Sequence, residues 1–134
     1  MKLLLPIILG AWALSPPALA EDAREGAKTF QRYCAACHGP AADGAGPMRT
    51  VLLVQPSDLT TLTTANNGSF PLFRVVRRID GRDPLISHGS EMPVYGEFFE
   101  QGAQVALKTE SGQPIMTTRA VSDLVSFLKS VQVE

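Results

Sequence analysis

The strongest constraint on this chain is one short run, Tyr33-Cys34-Ala35-Ala36-Cys37-His38-Gly39, which holds both cysteines of its 134 residues. Two thiols three positions apart close a loop too small to stabilise a fold much through a disulfide, so the spacing points to chemistry. Cys-x-x-Cys followed at once by His is the attachment signature for c-type haem: the thiols add to the porphyrin vinyl groups and the imidazole coordinates iron from the same side. Ala35 and Ala36 put no bulk between the thiols, and Gly39 lets the chain leave its helix under the macrocycle. A thioredoxin-like dithiol would need a strand before the motif and a βαβ unit around it, whereas here a helical segment runs into it. A structural zinc site needs four ligands, and His38 and the distant His88 are all that this chain adds to the two cysteines.

The N-terminus sets the compartment. Met1 and Lys2 precede an apolar stretch from Leu3 to Leu14, then Ser15-Pro16-Pro17 and Ala18-Leu19-Ala20. A positive start, an apolar run too short to cross ~30 Å of hydrocarbon, and an Ala-x-Ala site describe a secretory signal peptide over 1–20. The expected mature domain is 21–134, exported to the bacterial periplasm; membrane attachment arises only if the N-terminal segment is retained. Losing Lys2 leaves 11 basic residues against 13 acidic ones, net −2. That balance excludes nucleic acid as a partner, because neutralising phosphates takes a clear basic excess. The only Trp, Trp12, lies in the leader, so the mature core is thin in large rings and a bound apolar group would help to fill it.

Periodicity supplies the helices. Ala23, Ala27, Phe30 and the Tyr33/Cys34 pair recur at helical spacing, predicting a first helix over Ala23–Cys37. Gly26 in its middle costs about 1 kcal/mol against Ala, which suggests a close crossing by another helix. Ser57 to Asn66 reads as a short helix with Ser57 as its cap and Leu59 and Leu62 inward. Leu72, Val75, Val76 and Ile79 make a better one, stopped by Gly81, with Arg74, Arg77 and Arg78 on its other face. A last helix starts near Thr117 or Thr118; Ala120, Val121, Leu124, Val125, Phe127, Leu128 and Val131 form its apolar stripe, with Arg119, Asp123, Ser126, Lys129 and Ser130 facing water. Between these last two helices, the long stretch from Glu97 to Ile115 suggests an extra hairpin or loop, more surface decoration than docking element.

The mature chain resembles the single-haem class I c-type cytochromes of bacteria. The resemblance rests on a helix with Gly26 and Phe30 running into Cys34-Ala35-Ala36-Cys37-His38-Gly39, then Gly46-Pro47, then Met92-Pro93-Val94-Tyr95-Gly96, then an amphipathic C-terminal helix. It implies an all-α cytochrome c fold, three main helices plus short ones wrapped around one covalently attached haem c. It also implies that the C-terminal helix crosses at Gly26, with Phe127 against the Gly26 and Phe30 region, and that the Pro47 carbonyl accepts the other N–H of the His38 ring. The arginines of the third helix, with Arg82, are either a solvated face or partners for a propionate or an acidic protein. The mature chain's three lysines, Lys28, Lys108 and Lys129, rule out the lysine-rich docking ring of the mitochondrial relatives.

The sixth iron ligand comes from the far side of the ring, and Met48, Met92, Met116 and His88 are candidates. Met92 precedes Pro93, which biases it to an extended conformation in an irregular run able to lean over a haem. Met48 follows the proximal loop too closely, and Met116 reads as ordinary core. Iron held by His38 and Met92 is six-coordinate, and a soft thioether favours Fe(II). The expected role is single-electron transfer between a donor and an acceptor redox protein, with no small-molecule substrate and no catalytic residues. The rivals are an electron-accepting subunit of a periplasmic dehydrogenase, a haem enzyme or sensor with a displaceable sixth ligand, and a dithiol redox protein.

Overall fold

The computed structural model describes residues 21–83, 92–93, 95–99 and 101–133. The expected leader, His88 and Val94 lie outside the described residues. In chain order the elements are α1 (Ala23–Tyr33), α2 (Ala35–His38), 3-10 turns at Pro47–Thr50 and Thr64–Asn66, α3 (Leu72–Asp80), α4 (Gly96–Phe99), strands β1 (Gln104–Lys108) and β2 (Pro114–Thr118), and α5 (Arg119–Ser130). The protein is mostly helical, with α1, α3 and α5 the three longer helices among the described residues and a two-stranded antiparallel hairpin added to them.

The crossing of α1 on α5 organises the fold. Asp22 caps α1 by accepting the Arg24 N–H at 2.8 Å. At Gly26 the helices meet so closely that an added Cβ would lie 1.9 Å from the Asp123 carbonyl oxygen, the reason for a glycine in mid-helix. One turn on, Phe30 is fully buried and its ring stands 5.0 Å from that of Phe127. Burying a phenylalanine of this kind contributes about 2–3 kcal/mol. Val121, Leu124, Val125 and Leu128 complete the α5 side of the core, and Leu72, Val75, Val76 and Ile79 of α3 close it.

Five expectations need correction. The first helix is not continuous: α1 ends at Tyr33 and Cys34 adopts φ −116°, so that the Cys37 N–H donates to the Cys34 carbonyl (3.1 Å) instead of reaching back to Tyr33. No α-helix forms over 57–66, because Asp58 accepts both the Thr60 N–H (2.8 Å) and the Thr60 hydroxyl (2.6 Å) in a local turn that competes with helical pairing. Asp123 does not face water. It is 6% exposed, its carboxylate accepts the Asp22 N–H at 2.8 Å, and Arg119 approaches it at 4.0 Å. The extra hairpin, which runs to Thr118, is more than decoration: Leu107 and Ile115 pair across it and are buried in the core. Met116, between the inward Ile115 and Thr117, points outward and is half exposed.

Candidate haem-binding site

The break after Tyr33 builds the site. α2 is a single turn carrying Cys37 and His38, closed by Gly39 at φ +79°, so both thiols and the imidazole sit within five residues of rigid backbone. Cys34 and Cys37 are half-buried and not joined in a disulfide. Burial, and then the neighbouring Cys37, push the Cys34 thiol up to about 11.

His38 is fixed by one bond. Its Nδ1 lies 3.0 Å from the Ser57 carbonyl oxygen; a carbonyl only accepts, so Nδ1 carries the hydrogen and Nε2 is left as the lone-pair nitrogen for a metal. The resemblance gave that part to the Pro47 carbonyl. Here Pro47 is exposed and opens a 3-10 turn, while Gly46 before it donates its N–H to the Cys37 carbonyl at 3.2 Å. The Ser57 loop is itself pinned by the C-terminus. The Gln132 carboxamide donates to the Leu59 carbonyl (2.7 Å) and accepts the Thr63 N–H (2.9 Å), and the Val133 N–H donates to the Thr60 carbonyl (2.9 Å).

Met92 is half-buried and packs against the core. Tyr95 ties its segment to the motif: the Tyr95 hydroxyl donates to the Tyr33 carbonyl at 2.8 Å, and its ring meets that of Tyr33 edge-on at 6.1 Å. Burial, then the charges of Cys34 and Cys37, raise the Tyr95 phenol above its ordinary value. Met48 and Met116 are about half exposed.

Arg77 and Arg78 of α3, and Arg82 beyond it, engage the protein itself. Arg77 donates to the Arg82 carbonyl and lies over the Phe73 ring at 5.0 Å, Arg82 pairs with Asp80 and reaches the Met116 carbonyl, and Arg78 faces Asp83 at 3.6 Å. Clefts of about 240 and 260 Å³ lie under the hairpin and beside Phe73, away from the cysteines. Among the described residues no group of three or more His, Cys, Asp or Glu could hold a metal ion, so these residues supply no ligand set of that kind for zinc. Neither does any described helix have the length and apolarity to cross a membrane.

Two thiols outside any disulfide and an oriented imidazole beside them in the chain fit a haem c chemically. A family model described as cytochrome C oxidase, cbb3-type, subunit III matches residues 21–99, more than half of the chain. The chain belongs to this family of class I c-type cytochrome domains. No curated protein and no solved structure matches it. The cytochrome domain makes the protein an electron-transfer haem protein with redox proteins as partners. The match ends at Phe99, so the hairpin and α5 lie beyond it.

Sequence reasoning missed the Ser57 carbonyl, the Gln132 clamp and the Tyr95 tie. The first leaves no signal, since every residue has a carbonyl. Gln132 is the one polar residue between Val131 and Val133 at the chain end, and Tyr95 stands in the quoted Met92 run, but neither position reveals its partner.

Proposed function

We propose that the mature protein is a periplasmic cytochrome carrying one haem c, bound through thioethers to Cys34 and Cys37 and ligated by His38 and Met92, that passes single electrons between two redox proteins. The observation that carries this reading is the His38 ring, held by Ser57 at Nδ1 next to two unpaired thiols. Bound haem c supplies a one-electron couple between Fe(III) and Fe(II). The chain does the rest. Cys34 and Cys37 hold the cofactor without an enclosing pocket, and Ser57 keeps the imidazole oriented and raises its donor strength. Met92 offers a soft sulfur that favours the reduced state. With His38 and Met92 both holding the iron, no position would be left for oxygen or peroxide, and the job would be transfer, not catalysis. Residues 1–20 serve as the export signal.

A second reading, a cytochrome subunit docked in a larger redox assembly, draws support from the matching family's being described as an oxidase subunit. The optical spectrum of the purified protein tests the first. A covalent c-type signature that resists acid-acetone extraction, with a sulfur-to-iron charge-transfer band in the oxidised form, is the expected result. A colourless protein, an extractable pigment or a high-spin spectrum refutes it. Sizing of the native protein from periplasmic and detergent extracts separates a free carrier from a subunit.

A further inference from the structure

We infer that Tyr95 is the positioning residue for the methionine side of the site: its hydroxyl, bound to the Tyr33 carbonyl, locks the Met92 segment to the end of α1, next to Cys34. The inference rests on the reading of Met92 as an iron ligand and names what holds that ligand in place.

The bond has a specific structural origin. In an unbroken helix the Tyr33 carbonyl would accept the Cys37 N–H four residues on. Because the chain breaks at Cys34, that N–H goes to the Cys34 carbonyl at 3.1 Å, and the Tyr33 carbonyl accepts from the Tyr95 hydroxyl at 2.8 Å, across 62 residues of sequence. The same break that sets out the haem-binding thiols therefore creates the acceptor for the methionine segment.

Tyr95 is well placed to transmit that anchor. Its N–H donates to the Ile79 carbonyl at the end of α3 (3.0 Å), and its carbonyl accepts the Phe99 N–H at the end of α4 (3.2 Å). Its ring stacks on Phe99 at 6.0 Å, and Tyr33 meets Phe99 edge-on at 5.6 Å. Three aromatic rings thus join α1 to α4, with Met92 three residues before the central one. Removing the hydroxyl keeps the aromatic ring and deletes the tie to Tyr33, so Met92 leaves its place more often without the fold being lost.

The test compares Tyr95→Phe with the parent holoprotein in the oxidised state, titrating with imidazole and following the sulfur-to-iron charge-transfer band. Imidazole binds iron only when the methionine is off, so its apparent affinity reads the population of that state. The expected result is a band retained in Tyr95→Phe and an imidazole affinity about three- to tenfold higher than in the parent, the range for a single net hydrogen bond. Ile115→Val is the control. It trims a buried side chain of the hairpin and should lower the melting temperature while leaving imidazole affinity within about twofold of the parent. Equal affinity in Tyr95→Phe and the parent overturns the inference, as does an equal rise in Ile115→Val, which would mean that general loosening is being read. A parent protein lacking the band refutes Met92 ligation itself, a different failure seen before any variant is made.

Discussion

The two sides of the site are held in different ways. On the histidine side the bond is to the proposed ligand's own ring: Ser57 accepts from Nδ1 of His38, and the loop bearing Ser57 is fastened by Gln132 and Val133. On the methionine side the anchor is Tyr95, three residues past Met92, and it grips the backbone at the end of α1, next to Cys34. A ring bonded directly has its orientation fixed. A ligand whose neighbouring chain is bonded keeps some freedom of its own, which suits a long, flexible thioether side chain.

The sharpest way to break that comparison is to remove each proposed ligand. His38→Ala should reduce haem-bearing protein to a trace, because the imidazole beside the thiols is part of the attachment signature. Met92→Ala should give haem-bearing protein within about twofold of the parent yield, without the sulfur-to-iron band. Pigment yield and the oxidised spectrum check both; equal losses of pigment would show that the two sides are not distinct.

The histidine side also makes a pH-dependent prediction in the haem-free chain. The Cys34 thiol is raised from 9.0 to about 11, first by burial and then by Cys37. Its thiolate fraction at pH 8 is therefore about 100-fold below that of the unfolded chain, and alkylation should slow in proportion. The sign for stability follows from linkage. The folded state holds this proton more tightly, so the contribution is fully present below pH 9 and is lost as the pH rises towards 11. The rate of alkylation against pH, folded and in denaturant, measures both; coincident profiles would contradict the burial.

Much of the candidate site was legible because its signature is a spacing of reactive groups. Cys34, Cys37 and His38 declare themselves in five residues, and the unfavourable Gly26 in a helix called for the crossing that Asp123 and Phe127 supply. The stripe of α3 was equally readable, with Gly81 ending it in the left-handed region at φ +80°. What stayed hidden depends on competition between partners that periodicity does not weigh. A 3.6-residue pattern does not show whether the Cys37 N–H reaches three or four residues back, and Asp58 outbid helix pairing with two short side-chain bonds. Asp123 lies on the apolar side of α5 because the backbone N–H of Asp22 needs an acceptor there, a demand that arises only once the helices cross.

Gly46 tests how tightly the loop after the cysteines must lie. A Cβ there would stand 2.4 Å from the Cys37 carbonyl oxygen and 2.5 Å from that of Ala36, both backbone atoms that cannot swing aside. Gly46→Val should destabilise the protein by about 2–3 kcal/mol, read as a lower thermal midpoint, with the effect concentrated on the histidine side. A spectrum showing the methionine band lost while the imidazole stays bound would reverse that assignment.

The smallest effect belongs to the clamp at the chain end. Gln132 bridges the Leu59 and Leu128 carbonyls through its amide nitrogen, at 2.7 and 2.8 Å, and accepts the Thr63 N–H through its oxygen. Gln132→Ala leaves those backbone groups to water, which reaches this partly buried rim, and should cost about 1–2 kcal/mol. The loop from Ser57 to Asn66 should then loosen first, seen as faster amide hydrogen exchange at Thr63 with little change at Phe30 in the helix crossing. Because this loop carries the carbonyl that holds His38, its loosening should also weaken the imidazole as a donor and shift the reduction potential of the haem-bearing protein. An unchanged potential despite faster exchange at Thr63 would mean that Ser57 is fixed by its own turn, and that the histidine side needs no help from the C-terminus.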